Sequence, residues 1–131
     1  TEVVIPRLEN DLVGLLVATA NQELDTIKIN IDKRSAATIM AVSGGYPGHY
    51  EKGFVIDGLS GPLPADSLLF HAGTIEKENK IVTNGGRVLC ATSFGTTIHE
   101  AVMKSREVLD NLEFQGIYYR RDIGYEFEPG K

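Results

Sequence analysis

Glycine and proline residues divide the middle of this chain into short apolar segments, and this division constrains the fold more than any other feature. The segment Gly44–Gly48 contains three glycines and a proline. It is expected to be a loop, because glycine permits positive φ and proline fixes its own φ and lacks an amide donor. The short apolar segments predict small antiparallel β-units rather than βαβ crossovers, with strands over residues 37–43, 54–56, 68–71, 80–83 and 87–92.

Two helices are predicted, one near each end of the chain. Asn10 is a good N-cap, and the apolar residues that follow at helical spacing predict a helix over 11–21. Thr97 and Glu100 form a capping box, and the apolar stripe after them predicts a helix over 98–111. Two further strands are expected, over residues 27–31 and 114–119, and the strand over 37–43 is expected to return antiparallel to 27–31. The sequence therefore predicts an α+β fold, mainly antiparallel β, with two packed helices.

The segment Thr83–Arg87 contains the residue types most suggestive of ligand binding. Asn84-Gly85 favours a type I′ hairpin turn, in which both central residues have positive φ. Gly85 and Gly86 would let backbone amides approach an anion closely, and the guanidinium of Arg87 can bind a phosphate through two hydrogen bonds. A tight hairpin with a surface arginine explains the same residues without a ligand. Both interpretations stay open on these residues alone.

The other candidates for chemistry are weaker. The three histidines have no metal-ligand spacing, and Cys90, inside a predicted strand, is expected to be a small core residue. Lys77 and Lys80 flank a turn, as in a biotinyl or lipoyl carrier, but they lack the Met or Ala neighbours of such carriers. We therefore predict no catalytic residue and no metal site within this chain.

Charge, cysteine content and hydropathy exclude several classes of protein. The 131 residues suit one domain, or one domain with a short extension. A net charge of −5 argues against a nucleic-acid or anionic-membrane binder, whose affinity depends on clustered cations. No apolar run reaches the ~20 residues that cross a bilayer. One cysteine excludes an internal disulfide, and we expect a reduced, cytoplasmic protein.

The chain begins at Thr1 and enters an apolar segment at once. This beginning suggests a piece of a longer protein. Removal of an initiator methionine, which a following threonine permits, is the alternative explanation.

Four ordered motifs carry a family resemblance: GGYPGHYEKG (44–53), FHAGT (70–74), TNGGRVLCAT (83–92) and YYRRDIG (118–124). Together they resemble the C-terminal domain of the phosphoribosylamine–glycine ligases, also called glycinamide ribonucleotide synthetases. The segment PRLENDLVGLLVA (6–18) resembles the helix that closes the ATP-grasp domain in that family. The resemblance implies two parts: residues 1–35 end the ATP-grasp domain, and residues 36–131 form the C-terminal domain, of the barrel-sandwich-hybrid kind.

The resemblance also implies an activity for the full-length protein. That enzyme is an ATP-dependent carbon–nitrogen ligase of de novo purine biosynthesis, which joins glycine to 5-phosphoribosylamine through glycyl phosphate, with magnesium or manganese at the nucleotide. The nucleotide and metal residues of the family lie in sequence before Thr1. The fragment alone is therefore expected to be inactive and to bind no cofactor. Its expected partners are the missing N-terminal domains and the small-molecule substrates, and we expect a monomer.

A site follows from the same resemblance. In related ATP-grasp enzymes of purine synthesis, an arginine in the equivalent hairpin strand holds the ribose 5-phosphate. This implies a substrate-phosphate site at Arg87 with Asn84, Gly85 and Gly86. The FHAGT and NGGRVL motifs argue against a biotin-carboxylase relative. A free-standing, non-catalytic binding or interaction module of the same fold is the alternative from another class.

Overall fold

The computed structural model describes residues 1–127 and contains two antiparallel sheets and two α-helices. The strands are β1 (Ser35–Val42), β2 (Ser67–His71), β3 (Thr74–Lys77), β4 (Lys80–Thr83) and β5 (Arg87–Gly95). The helices are α1 (Leu12–Ala20) and α2 (Ile98–Asp110). Short 3-10 turns occur at Ile5–Arg7, Leu24–Thr26 and Tyr125–Phe127. Within this described part, no helix is long and apolar enough to cross a membrane.

The main sheet has three strands in the order β1-β5-β2, so β5 is central. It pairs antiparallel with both neighbours, and Ala91, for example, lies opposite Ile39 on β1 and Leu69 on β2. Strands β3 and β4 form a separate two-stranded sheet. The prediction of small antiparallel units is confirmed, and the predicted strand over 37–43 is β1, although its partner is β5 and not residues 27–31.

The predicted Asn84-Gly85 hairpin is wrong. Strands β4 and β5 belong to different sheets, and neither Asn84 nor Gly85 has positive φ. The tight hairpin turn is Glu78-Asn79, where both residues have positive φ, 52° and 59°. The segment between β4 and β5 instead carries the chain from one sheet to the other.

Helix α2 covers one face of the main sheet, and the apolar stripe expected for it is confirmed. Ser105 is fully buried and donates a hydrogen bond to the carbonyl of Ala37 on β1 (3.1 Å). The stripe is buried against the sheet except for the partly exposed Ile98, and consists of Ile98, Ala101, Val102, Val108, Leu109 and Leu112.

The capping box at the start of α2 is formed in part. The Thr97 hydroxyl accepts from the Glu100 amide (3.1 Å), as predicted. The Glu100 carboxylate, however, accepts from the amide (2.8 Å) and hydroxyl of Thr96, one residue before the cap. These bonds, together with the ammonium of Lys104, lower the pKa of Glu100 to about 2.

The N-terminal segment differs from its prediction in two respects. Asp11, not Asn10, caps α1, because its carboxylate accepts from the Gly14 amide (2.7 Å). Asn10 instead bonds to the backbone of Lys28 (3.0 Å) and Asn30 (2.6 Å). The predicted strand over 27–31 is reduced to one bridge, between Leu8 and Ile31, because none of the strands in residues 1–127 pairs with it.

Two other predicted strands are also reduced to single bridges. Val55, within 54–56, is bridged to Val82 on β4. Tyr118, within 114–119, is bridged to Val42 at the end of β1. Residues 54–56 lie beside β4 without continuous strand pairing, whereas residues 114–119 contain a turn, in which Gly116 has φ of +76° and the Ile117 amide donates to the Phe114 carbonyl (3.1 Å).

Replacement of Leu109 by alanine tests the packing of α2. Leu109 is 1% exposed, so the substitution should lower the free energy of unfolding by roughly 2–4 kcal/mol, the usual range for a large-to-small core change. Met103→Ala is the matched control, because Met103 on the same helix is 47% exposed and should cost less than about 1 kcal/mol. Chemical denaturation measures both, and equal losses would show that the buried face is misassigned.

Candidate functional site

Three of the motif loops meet at one end of the main sheet. The GGYPG loop follows β1, the FHAGT motif ends β2, and the TNGGR segment precedes β5. Because β1 and β2 both run antiparallel to β5, they end where β5 begins. The topology therefore places residues that are far apart in sequence side by side.

Ser43 connects the first loop to the third. Its amide donates to the carbonyl of Gly86 (2.8 Å), and its hydroxyl donates to the carbonyl of Gly85 (2.9 Å). Ser43 is buried, so both bonds are protected from water. This contact fixes the backbone that leads into β5.

Gly73 connects the second loop to the third. Its amide donates to the carbonyl of Arg87 (2.8 Å), and its carbonyl accepts from the amide of Asn84 (2.7 Å). A Cβ on Gly73 would lie 2.8 Å from the Cα of Gly85 and would overlap the Arg87 carbonyl oxygen. The two backbones approach each other this closely only because glycine has no side chain.

Tyr46 packs directly on the backbone of Gly86. A Cβ on Gly86 would lie 2.6 Å from Cε2 of the tyrosine ring and would overlap Cδ2. Tyr46 as a whole nevertheless remains 40% exposed. The ring of Tyr46 therefore occupies the space that a side chain at position 86 would need, one residue before Arg87.

Arg87 differs from the other arginines of the chain. Its guanidinium makes no hydrogen bond or ion pair within residues 1–127 and is exposed. In each of the other five arginines the guanidinium binds a carboxylate or carbonyl oxygen. These arginines are Arg7, Arg34, Arg106, Arg120 and Arg121. Since an unpaired guanidinium retains all its donors for a ligand, Arg87 is the arginine best placed to bind an anion.

A cavity of about 300 Å³ opens beside Arg87. Its lining is mainly apolar and aromatic, and includes Met40, Val42, Tyr46, Tyr118, Ile123 and Arg120. The Arg120 guanidinium is occupied by both carboxylate oxygens of Asp122 (2.9 and 2.7 Å). A larger cavity of about 440 Å³ lies beside Asp110 and Arg121, but these two residues pair with each other. The cavity beside Arg87 therefore offers the better site for an anion.

The four predicted site residues have different positions. Arg87 lines the cavity, whereas Gly85 and Gly86 build the loop and accept hydrogen bonds from Ser43. The Asn84 amide is bonded to Gly73 and does not face the cavity. Tyr46 is not predictable from the sequence, because one aromatic residue in a glycine-rich loop carries no sign that its ring will pack beside the residue before an arginine.

The other groups considered for chemistry lie away from this site or are paired. Cys90 is fully buried, and its burial raises the pKa of the thiol, as suits a core residue. The Nδ1 atom of His71 is paired with the Thr74 hydroxyl (2.9 Å). Across residues 1–127, no group of three or more His, Cys, Asp or Glu residues is arranged to hold a metal ion.

Comparison with known proteins assigns the chain to a family. The model for the phosphoribosylglycinamide synthetase C domain matches residues 36–126. The chain therefore belongs to the phosphoribosylglycinamide synthetase family and contains its C domain.

Its relatives are named more specifically. The chain is 42% identical over 125 residues to phosphoribosylamine–glycine ligase from Vibrio vulnificus (strain CMCP6), which covers 95% of the chain and 29% of that protein. It is 41% identical to a bifunctional purine biosynthetic protein from Pichia angusta, covering 95% of the chain and 16% of that protein. It thus spans less than a third of the length of these relatives.

A solved structure gives the same family. The crystal structure of phosphoribosylamine–glycine ligase from Thermotoga maritima matches with a TM-score of 0.63 at 36% identity, over 82% of the chain and 27% of that structure. The α+β fold with antiparallel sheets and two helices is therefore that of the C-terminal part of this ligase.

Substitution of Gly86 tests the contact with Tyr46. Gly86→Ala should lower the free energy of unfolding by roughly 1–3 kcal/mol, because the new methyl group forces the ring out of its seat. In a Tyr46→Ala background the same change should cost much less. A double-mutant cycle by chemical denaturation measures the coupling, and additive costs would show that the ring does not occupy this position.

Proposed function

We propose that this chain is the C-terminal part of a phosphoribosylamine–glycine ligase and that Arg87 binds the phosphate of phosphoribosylamine. The observation that carries the proposal is the position of Arg87, whose guanidinium makes no hydrogen bond or ion pair within residues 1–127, beside a cavity that Tyr46 of the GGYPG loop also lines. Family membership and the names of the relatives supply the substrate class.

The chemistry of the substrate suits this position. A phosphate monoester carries up to two negative charges and presents oxygens that match the planar fork of a guanidinium. The phosphate is remote from the amine that reacts, so its binding energy orients the amine without taking part in bond formation. The role of Arg87 in this proposal is binding and orientation.

The activation of glycine requires groups from elsewhere in the ligase. ATP and a divalent metal, when bound, would supply phosphoryl transfer to the glycine carboxylate. The described residues do not fit a metal ion, because they contain no cluster of three His, Cys, Asp or Glu side chains. We therefore assign no catalytic step to this chain, and expect the 131-residue polypeptide alone to show no ligation.

We propose that residues 1–35 belong to the ATP-grasp domain and residues 36–131 to the C-terminal domain, a barrel-sandwich hybrid. Exposed apolar residues of α1 support the first part. Leu12, Val13, Leu16 and Val17 are 39–66% exposed, which is unusual for four large apolar side chains on nine residues. Such a surface suits packing against the preceding part of the ligase, which we expect to be a cytoplasmic monomer.

A lysine at position 13 tests the proposed packing of α1. Val13→Lys should change the unfolding free energy of the 131-residue chain by less than about 0.5 kcal/mol, since Val13 is 66% exposed there. In the full-length ligase it should be destabilising by more than about 2 kcal/mol, because the charge would be buried without a partner.

Met103→Lys is the control, because Met103 is an exposed apolar residue on α2. It should be tolerated in both the short and the full-length protein. Denaturation curves of the four variant proteins and the two wild-type proteins decide the matter, and an equal response of Val13→Lys in both lengths would contradict the packing.

Substitution of Arg87 tests the phosphate assignment in the full-length ligase. Arg87→Ala should raise the KM for phosphoribosylamine, with a loss of about 1.5–3 kcal/mol for a charge-assisted contact. The KM values for ATP and glycine should change little. Arg87→Lys should restore only part of the loss, because an ammonium cannot reproduce the two-pronged contact.

Arg121→Ala is the matched control, since Arg121 is also exposed but pairs with Asp110 away from this cavity. It should leave all three KM values unchanged. Steady-state kinetics with each substrate varied in turn measures these effects. A folded Arg87→Ala ligase with an unchanged KM for phosphoribosylamine would show that Arg87 has no role in phosphate binding.

A further inference from the structure

Tyr46 is held by its own loop and by the loop that precedes β5. Its amide donates to the carbonyl of Ser43 (3.0 Å), and Ser43 is itself bonded to Gly85 and Gly86. The preceding residue, Gly45, has φ of +93°, and a Cβ there would overlap the His49 carbonyl oxygen. The backbone of Tyr46 is therefore fixed on both sides.

The ring of Tyr46 is covered in part by its neighbours. Gly86 lies against the ring, and Tyr50 contacts it at a centroid distance of 6.1 Å and an interplanar angle of 59°. Tyr46 remains 40% exposed, and it lines the cavity beside Arg87. A fixed aromatic surface thus stands next to an unpaired guanidinium.

The shared position of these two groups suggests what they recognise together. Tyr46 and Arg87 line the same cavity, and the ring packs against Gly86, the residue before Arg87. A ligand bound by both needs an anion at one end and a compact body with apolar C–H groups next to it. The carbon skeleton of a pentose phosphate has this form.

We propose that Tyr46 contacts the substrate and that its ring packs against the ribose of the phosphoribosyl group held by Arg87. The inference rests on the proposed function and deepens it: Arg87 recognises the phosphate, and Tyr46 recognises the sugar. The contact is apolar, through the ring and not the hydroxyl, because the electron-rich face of an aromatic ring attracts C–H groups of positive partial charge. Tyr46 thereby selects phosphorylated sugars over simple phosphate esters.

Calorimetric titration of the full-length ligase with ribose 5-phosphate and with methyl phosphate tests the proposal. Wild type should bind ribose 5-phosphate more tightly than methyl phosphate. Tyr46→Leu should weaken ribose 5-phosphate about five- to tenfold, the scale of a lost aromatic contact, and leave methyl phosphate within about twofold. Tyr46→Phe should match wild type for both ligands. Tyr46→Met is a second variant, because methionine is flexible and of similar length. It should weaken ribose 5-phosphate as Tyr46→Leu does.

Phe127→Leu is the matched control. Phe127 is also an exposed aromatic residue (67%), but it lines a different cavity, with Ile98 and Val102. It should leave the affinity for both ligands unchanged.

The outcomes distinguish this inference from the proposed function. Arg87→Ala should weaken both ligands, and if it weakens neither, the phosphate assignment and the inference built on it both fail. If Arg87→Ala weakens both ligands while Tyr46→Leu and Tyr46→Met weaken neither, or weaken both equally, only the role of Tyr46 is overturned. Equal binding of the two ligands by wild type would also overturn it.

Discussion

The pairing of β5 along both of its edges is the constraint on which the rest of the molecule depends. The strand is buried from Val88 to Gly95, and it pairs with β1 on one side and β2 on the other. Because both neighbours run antiparallel to it, the chain leaves β1 and β2 where it enters β5. The convergence of three separate motifs is therefore a consequence of strand order. The candidate site lies at the end of the main sheet where β5 begins.

Signals contained in one continuous segment of sequence predict structure better than signals that depend on distant residues. Helix α2 was predicted well because its Thr97 cap and its apolar stripe lie within one continuous segment. The prediction of an Asn84-Gly85 hairpin was wrong because a glycine in this dipeptide can serve either a positive-φ turn or a close backbone contact. Gly85 is needed for its close approach to Gly73, not for positive φ, and a contact over twelve residues of sequence is invisible to turn rules.

The same limit explains the other differences. The alternation over 27–31 describes a segment able to form a strand, but it cannot supply the neighbour that a strand requires. Arg87 could be selected from the sequence through its residue type and family motif. That its guanidinium makes no hydrogen bond or ion pair could not be predicted, because this depends on where carboxylates and carbonyls lie in space. The position of Tyr46 could not be predicted for the same reason, because it depends on the packing of its ring against Gly86.

The loops around Arg87 are joined chiefly through backbone atoms and one buried hydroxyl, at Ser43, Gly73, Gly85 and Gly86. None of these groups titrates, and buried hydrogen bonds are little affected by dissolved ions. The attraction between an exposed guanidinium and an anion, in contrast, is screened as ionic strength rises. The framework and the charge it presents thus respond to different variables: salt changes the strength of attraction at this end of the sheet while the shape of the loops stays constant.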